Sequence, residues 1–148
     1  MKNAILVDLD GTLANIDHRK HFIENSPKNW DGFNANAKYD KVNKWCYELC
    51  YAMNSGSMEY STIIVTGRSE EMIDETKYWL SKNRLFPYLL FMRKKGDKRE
   101  DFIVKKEIYD EHILGKYNVL FVLEDRKRVV DMWRRLGLVC LQCAEGDY

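Results

Sequence analysis

The stretch Ala4-Ile5-Leu6-Val7-Asp8-Leu9-Asp10-Gly11-Thr12 places two alternating carboxylates directly after a short apolar run. An apolar run that stops abruptly is typical of a buried parallel strand, and open α/β sheets bind ligands at the carboxyl ends of such strands. Because side chains alternate along a strand, Asp8 and Asp10 share one face if the strand geometry continues that far. The alternative is a surface turn after a strand, where Asp and Gly are common.

The two carboxylates also suggest a chemistry. Like charges this close repel unless a cation lies between them or one of them carries a proton. Both situations suit catalysis, because Mg²⁺ prefers oxygen ligands and a protonated acid can act beside an ionised nucleophile. Gly11 permits a tight turn, and the Thr12 hydroxyl can hydrogen-bond within it.

The length and composition predict one domain, residues 1–148, that is large enough to bury its own core. No apolar stretch approaches membrane-spanning length, and Met1-Lys2-Asn3 leads into the first strand without room for a signal peptide. We therefore expect a cytoplasmic protein.

Charge and cysteine content leave two questions open. The net charge of +1 does not favour nucleic acid, but basic clusters at residues 93–99 and 126–135 either follow phosphates or form solvated faces. The four cysteines either form a zinc site or are buried free thiols, which are frequent in cytosolic proteins. They are Cys46, Cys50, Cys140 and Cys143.

Strand and helix patterns alternate along the chain, which predicts a Rossmann-like three-layer α/β sandwich with a mostly parallel five-stranded sheet. The periodicity assigns Trp45 and Trp133 to the core. A large cap domain does not fit into the segment between the first two strands, although residues 14–40 could form a small lid. The predicted strands are 4–8, 62–66, 88–92, 118–123 and 139–142, and the predicted helices are 41–53, 70–83, 101–112 and 127–136.

Three predicted strands end in polar residues that can do chemistry. Asp8 and Asp10 follow the first, Thr66-Gly67-Arg68 follows the second, and Glu124-Asp125 follows the fourth. Because parallel strands end at the same edge of a sheet, these residues are expected to form one site. The carboxylates supply oxygen ligands for Mg²⁺, and the absence of Cys and His from this set argues against zinc. Thr66 and Gly67 precede a helix N-terminus, which makes them a reasonable anion cradle.

Lys105 lies near the start of a later predicted helix. It is either an exposed helix residue or the cation that neutralises a phosphorylated carboxylate. Acids, a metal, a hydroxyl and a lysine are what phosphoryl transfer through an aspartyl-phosphate requires. No G-x-x-x-x-G-K-[ST] loop occurs, so a P-loop kinase is not expected.

Four signatures in chain order resemble those of the haloacid dehalogenase (HAD) superfamily of phosphatases. They are residues 8–12, Thr66 in Val65-Thr66-Gly67-Arg68, Lys105, and Glu124-Asp125. The resemblance implies that Asp8 is the nucleophile and Asp10 the general acid and base. It also implies that Thr66 binds the transferring phosphoryl group and that Lys105 pairs with that group and with Asp8.

The same resemblance implies a Mg²⁺ cofactor. Asp8, the Asp10 carbonyl and Asp125 would hold the ion, and Glu124 would contact it directly or through water. The superfamily signatures do not identify the substrate.

The second half of the chain is similar to the phosphatase domain of bacteriophage polynucleotide kinase/3′-phosphatase, most clearly at residues 96–101, 125–126 and 146–148. This similarity implies substrate-binding roles for Arg19, Arg68, Arg99 and Asp101, beside the Gly67 amide of the anion cradle. The family has two aspartates where this chain has Glu124-Asp125, a departure that changes the metal geometry. No kinase half is present, so 5′-phosphorylation is not expected.

The expected function is therefore a Mg²⁺-dependent phosphomonoesterase that removes a 3′-phosphate from DNA or RNA ends through an aspartyl-phosphate. The first alternative is a phosphatase of mononucleotides or other small phosphoesters. The second is an inactive module that binds nucleic-acid ends.

Overall fold

A five-stranded parallel sheet lies at the centre of the computed structural model, which describes all residues from Met1 to Tyr148. The strands are β1 (Lys2–Val7), β2 (Ala14–Asn15), β3 (Lys41–Val42), β4 (Ser61–Ser69), β5 (Leu89–Arg93), β6 (Tyr117–Arg126) and β7 (Cys140–Gly146). The main sheet has the order β5-β4-β1-β6-β7, and all four of its pairings are parallel. The predicted α/β sandwich is confirmed.

Helices cover both faces of this sheet. They are α1 (His21–Glu24), α2 (Trp30–Ala35), α3 (Lys44–Ser55), α4 (Ile73–Lys82), α5 (Asp101–Ile108) and α6 (Lys127–Arg135). Helices α3 and α4 contribute buried residues to the core on one face, and α5 and α6 contribute to the core on the other. No helix is both long enough and apolar enough to cross a lipid bilayer.

Strand β1 shows why this sequence needs two helical layers. Ala4 and Leu6 pack into the core beneath α5 and α6, whereas Ile5 and Val7 pack into the core beneath α3 and α4. Side chains alternate along a strand, so a continuous apolar run must be covered on both sides. β1 therefore lies in the middle of the sheet, between β4 and β6.

Helix α3 starts later than the predicted helix 41–53. Lys41 and Val42 instead pair with Asn15 and Ala14 in a short antiparallel sheet, β2–β3. This pairing joins residues that are far apart in the chain. Because it places residues 41 and 42 in a strand, the first turn of the predicted helix does not form. The π-helical turn Tyr109–Ile113 likewise follows α5 where an uninterrupted helix to residue 112 was predicted.

The assignment of Trp45 to the core was wrong. Its side chain is 45 % exposed, because the buried face of α3 is set by Cys46 and Cys50. Trp133 is buried as predicted, at 1 % exposure.

The residues between β2 and β3 form a small compact unit rather than a cap domain. Ile16, Ile23 and Phe33 make a separate apolar cluster, and the guanidinium of Arg19 lies 4.0 Å from the centre of the Phe33 ring. The unit consists of the two short helices α1 and α2 and two 3-10 helical turns, Asp17–Arg19 and Ala37–Tyr39. A large cap is absent, and a lid role for residues 14–40 stays a prediction.

Candidate active site

Three strand ends meet at one edge of the sheet. Val7, the last residue of β1, pairs with Ile64 in β4 and with Leu123 in β6. This register places Asp8 level with the carboxyl-terminal halves of both neighbouring strands. Thr66 and the Glu124-Asp125 pair extend from those halves, and all of these residues are buried.

The first feature of this edge is a carboxylate cluster formed by Asp8, Glu124 and Asp125. One oxygen from each residue lies within 4.8 Å of the others, which is close enough to hold a single cation. Lys105 Nζ, also buried, donates to Asp8 Oδ1 at 2.7 Å and to Glu124 Oε2 at 2.8 Å. The Thr12 hydroxyl donates to Asp8 Oδ2 at 3.1 Å.

The carboxylate cluster holds more negative charge than the protein neutralises. Burial first, and then the neighbouring Asp8 charge, raise the pKa of Asp125 to about 7 and that of Glu124 well above its usual range. Burial alone would lower the pKa of Lys105, but the charges of Asp8 and Glu124 raise it above the ordinary value. Three carboxylates therefore share one permanent ammonium, and the excess suits a divalent cation.

The three acids differ in how many donors they already have. Glu124 accepts from Lys105 and, through Oε1, from the backbone amides of Asp125 at 3.1 Å and Arg126 at 3.3 Å. Asp8 and Asp125 keep more free acceptor capacity. The geometry thus favours Asp8 and Asp125 as direct ligands and Glu124 as the residue that holds Lys105.

Tyr148 closes one side of the carboxylate cluster. Its hydroxyl donates to Asp125 Oδ2 at 2.6 Å and lies 3.5 Å from the Asp10 carbonyl oxygen. Gly11 lies directly beneath it with φ +84°, and a Cβ on Gly11 would overlap the Asp125 carboxylate. Only glycine fits at this turn, because both the backbone conformation and the space exclude a side chain.

The second feature is an ion-pair network that joins Asp10 to Arg19, Arg68 and Asp40. Asp10 Oδ1 accepts from Arg19 Nη2 at 2.7 Å and from Arg68 Nη2 at 2.6 Å. Asp40 accepts from Arg19 Nε at 2.7 Å, and its other oxygen lies 3.6 Å from Arg68. Asp40 Oδ1 also lies 2.7 Å from His18 Nε2. Without counting that imidazole, the charges of two carboxylates and two guanidinium groups already balance, so this half of the site needs no further cation.

The arginines fix the ionisation of Asp10. Burial acts to raise the pKa of this carboxyl, but the Arg68 and Arg19 guanidinium groups outweigh it and hold the pKa well below its usual range. Asp10 and Asp8 therefore have different partners although both follow β1. Asp8 faces the lysine and the acids, and Asp10 faces the arginines.

The third feature surrounds Asp101 at the start of α5. Its carboxylate accepts from Arg93 and from Arg126. Burial alone would raise the pKa of Asp101, but the Lys105, Arg126 and Arg93 charges lower it. A Cβ on Gly67 would overlap this carboxylate, so the glycine lets Asp101 approach the backbone that follows Thr66.

Arg99 lies outside this arrangement. Its side chain is 47 % exposed and pairs with Asp97 and Glu107 on the surface. Most other charges of the two basic clusters are also paired, for example Arg128 with Glu100 and Lys127 with Asp131. The structure thus brings together every predicted site residue except Arg99.

Sequence reasoning missed Asp40, Arg126 and Tyr148 as members of the site. Asp40 stands in a segment without periodicity, and its partners lie 21 and 28 residues away. Arg126 and Tyr148 are in stretches that matched the phage family, which was the available signal. The four cysteines are free thiols, and the three buried ones are Cys46, Cys50 and Cys140.

The chain is similar to known proteins over nearly its whole length. The family model described as polynucleotide kinase PNKP phosphatase domain matches residues 2–148. A protein of the Autographa californica nuclear polyhedrosis virus that carries the name bifunctional polynucleotide kinase/RNA ligase is 31 % identical over 146 residues, which is 98 % of this chain and 20 % of that protein.

Solved structures extend the comparison. A chain in the Pnkp1/Rnl/Hen1 complex superposes with a TM-score of 0.85 at 36 % identity, over 100 % of this chain and 47 % of its own length. A haloacid dehalogenase-like hydrolase from Streptococcus pneumoniae shares the fold, with a TM-score of 0.65 at 14 % identity over 95 % of this chain and 84 % of that one. The chain thus spans about half of the first solved relative and a fifth of the viral one.

Proposed function

The chain belongs to the polynucleotide kinase PNKP phosphatase-domain family, and we propose that it is a Mg²⁺-dependent phosphomonoesterase that removes the 3′-phosphate from polynucleotide ends. The observation that carries the proposal is the buried carboxylate cluster around Asp8, with two more acids than cations, at the shared strand edge of a phosphatase fold.

The residues present fit a magnesium ion. Oxygen ligands from Asp8 and Asp125 suit a hard divalent cation that keeps several water molecules. The Asp10 carbonyl oxygen lies beside them, at 3.5 Å from the same Tyr148 hydroxyl that Asp125 binds. When bound, the ion would neutralise negative charge on the phosphoryl group and on the acids.

Asp8 is the proposed nucleophile. Its carboxylate oxygen forms a bond to phosphorus while the bond from phosphorus to the 3′ oxygen breaks, and Asp10 gives that oxygen a proton. Water then attacks the aspartyl-phosphate, Asp10 accepts a proton from it, and inorganic phosphate leaves with Asp8 restored. Lys105 offsets the charge on Asp8 and on the transferring group, and the buried Thr66 hydroxyl binds that group.

The ion-pair network allows Asp10 to be either ionised or protonated, and the proposed reaction needs both forms. Bound to Arg19 and Arg68 in the free protein, the carboxylate is ionised, and its low pKa makes it a weak base there. A phosphate dianion competes for both guanidinium groups, since paired arginines bind phosphate as well as carboxylate. Once the two guanidinium groups bind the substrate phosphate, they no longer keep Asp10 ionised. Asp10 can then carry the proton that it gives to the 3′ oxygen.

The open edge supports a macromolecular substrate. Between β1 and α3 the chain forms only short elements, namely α1, α2, two 3-10 turns and the β2–β3 sheet, so the site has no large cap to exclude a polynucleotide. The names of the relatives, a polynucleotide kinase and an assembly containing Pnkp1, point to the same substrate class.

Phosphate release from three matched substrates tests the proposal. A 3′-phosphorylated oligonucleotide should be hydrolysed in millimolar Mg²⁺ with a higher kcat/KM than a 5′-phosphorylated one or a set of mononucleotides. Faster turnover of the mononucleotides would support the small-phosphoester alternative instead. No phosphate release from any of the three would contradict the proposed activity.

Magnesium should stabilise the protein in the absence of substrate. Binding that relieves repulsion in the carboxylate cluster adds about 1.4 kcal/mol when the free ion is at ten times its Kd, or roughly 3–6 °C in Tm for a domain of this size. Differential scanning fluorimetry in EDTA and in 10 mM Mg²⁺ measures the shift. Asp125→Asn should abolish it and the exposed-surface variant Asp131→Asn should retain it, whereas equal shifts in both variants would place the ion elsewhere.

A further inference from the structure

A polar cavity of about 180 Å³ opens beside the carboxylate cluster and takes no part in the chemistry proposed above. Asp125 and Gly11 form its inner wall, so the cavity is continuous with the site. Asn15 from β2, Asn43 and Trp45 at the start of α3, and Lys20 also line it. Apart from Asp125 and Gly11, the cavity is therefore lined by residues that the proposed catalytic steps do not use.

Trp45 is the aromatic wall of this cavity. It is 45 % exposed, although the next residue, Cys46, is completely buried. Exposed single aromatics are common and need no explanation in general. Trp45 differs from Tyr51 and Phe86, also exposed, because it lines a polar cavity that reaches the catalytic carboxylate Asp125.

Two amide side chains provide the polar edge. Asn43 Nδ2 donates to the Thr12 carbonyl at 2.8 Å, which orients the amide and leaves Oδ1 without a protein partner. Asn15 Oδ1 accepts from the Asp17 amide at 2.9 Å, which leaves Nδ2 without one. Asn43 Oδ1 and Asn15 Nδ2 are thus a free acceptor and a free donor on residues that line the cavity together with Trp45, and a nucleobase offers complementary edges and a π-face.

The charge and the size of the cavity favour a nucleobase over the other parts of a nucleotide. Lys20, the one cation of the lining, lies 3.9 Å from Asp17, so the cavity offers no unpaired cation to a second phosphate. The volume is below the 300–1,000 Å³ usual for larger ligands, which limits the occupant to about one planar ring system. A neutral base fits both constraints.

We propose that this cavity binds the nucleobase of the 3′-terminal nucleotide, stacked on Trp45 and hydrogen-bonded by Asn15 and Asn43, while its phosphate lies at Asp8. The inference rests on the proposed function, since it concerns the substrate of the same site. Trp45 then determines which phosphoesters bind well, without touching the reacting atoms.

The test compares a 3′-phosphorylated oligonucleotide with the same oligonucleotide ending in an abasic 3′-phosphate. Trp45→Ala should raise KM for the intact end roughly tenfold or more, the usual effect of removing one stacked aromatic, and should leave KM for the abasic end and for p-nitrophenyl phosphate unchanged. Trp45→Phe should restore most of the loss. Trp30→Ala, which removes a tryptophan that is 42 % exposed outside the cavity, is the matched control.

Equal effects of Trp45→Ala on the intact and abasic ends, or no effect on the intact end, would overturn the inference. So would equal KM values of the unmodified enzyme for the two ends. Fluorescence anisotropy with the Asp8→Asn variant repeats the comparison without turnover. If the protein does not catalyse the proposed reaction, the difference in affinity between the intact and the abasic end can still be measured with this variant. Equal affinities for the two ends would reject the base site alone.

Discussion

Asp8→Asn should reduce phosphate release from a 3′-phosphorylated oligonucleotide by roughly 10⁴-fold or more, the scale of removing a covalent nucleophile from a catalytic unit. The amide keeps the shape of the side chain but cannot form an aspartyl-phosphate. The substitution also removes one of three crowded carboxylates while Lys105 keeps Glu124 as its partner, so the free energy of unfolding should stay the same or rise. A colorimetric phosphate assay and a denaturant titration measure the two effects.

Asp131→Asn is the matched control for this change. Asp131 lies on α6 and pairs with Lys127 at the surface, away from the carboxylate cluster, so its activity should equal that of the unmodified protein. Activity of Asp8→Asn within tenfold of the unmodified protein would show that another group attacks the phosphorus. Incorporation of phosphate into the unmodified protein but not into Asp8→Asn would identify the covalent step directly.

Asp40→Asn is expected to impair both stability and catalysis. The Asp40 side chain is completely buried, and it holds Arg19 and, more weakly, Arg68. Removing one partner from a buried ion-pair network leaves an uncompensated charge, so we expect the free energy of unfolding to fall by about 3 kcal/mol. Displacing the two arginines from Asp10 should lower kcat/KM about 10²-fold.

Denaturant unfolding and steady-state kinetics on the same preparation separate these effects. Asp31→Asn, an exposed acid on α2 within the same segment, should change neither. A stable Asp40→Asn variant with unaltered kinetics would mean that Arg19 and Arg68 do not need Asp40 for their placement. A loss of stability without a loss of kcat/KM would assign Asp40 a purely structural role.

The charges of the site divide into two halves with different tasks. The Asp8 half carries excess negative charge, which suits a cation. In the Asp10 half, arginines neutralise the carboxylate charge, and a phosphate can bind to the same arginines. Both halves begin from one strand, because the chain turns at Gly11 directly after Asp10. This division explains how two neighbouring aspartates can have different chemical roles.

Local patterns were sufficient for much of this protein. The apolar run before Asp8 predicted a buried parallel strand, since side chains on both faces must be buried, and the polar ends of three such strands predicted their meeting at one edge. Lys105 was placed in the site only through the family resemblance. The structure brings its ammonium within hydrogen-bond distance of Asp8, although 97 residues separate them.

Contacts between distant residues settled the rest. Asp40, Tyr148 and Arg126 gained their partners from how loops and termini fold over the sheet edge, and no periodicity marks such positions. Trp45 was wrongly assigned to the core for the same reason, and a substrate-binding role for Arg99 stays a prediction. A local pattern indicates which face of a helix or strand is apolar. The ion pairs and the exposure of a side chain depend on which other parts of the chain pack next to it.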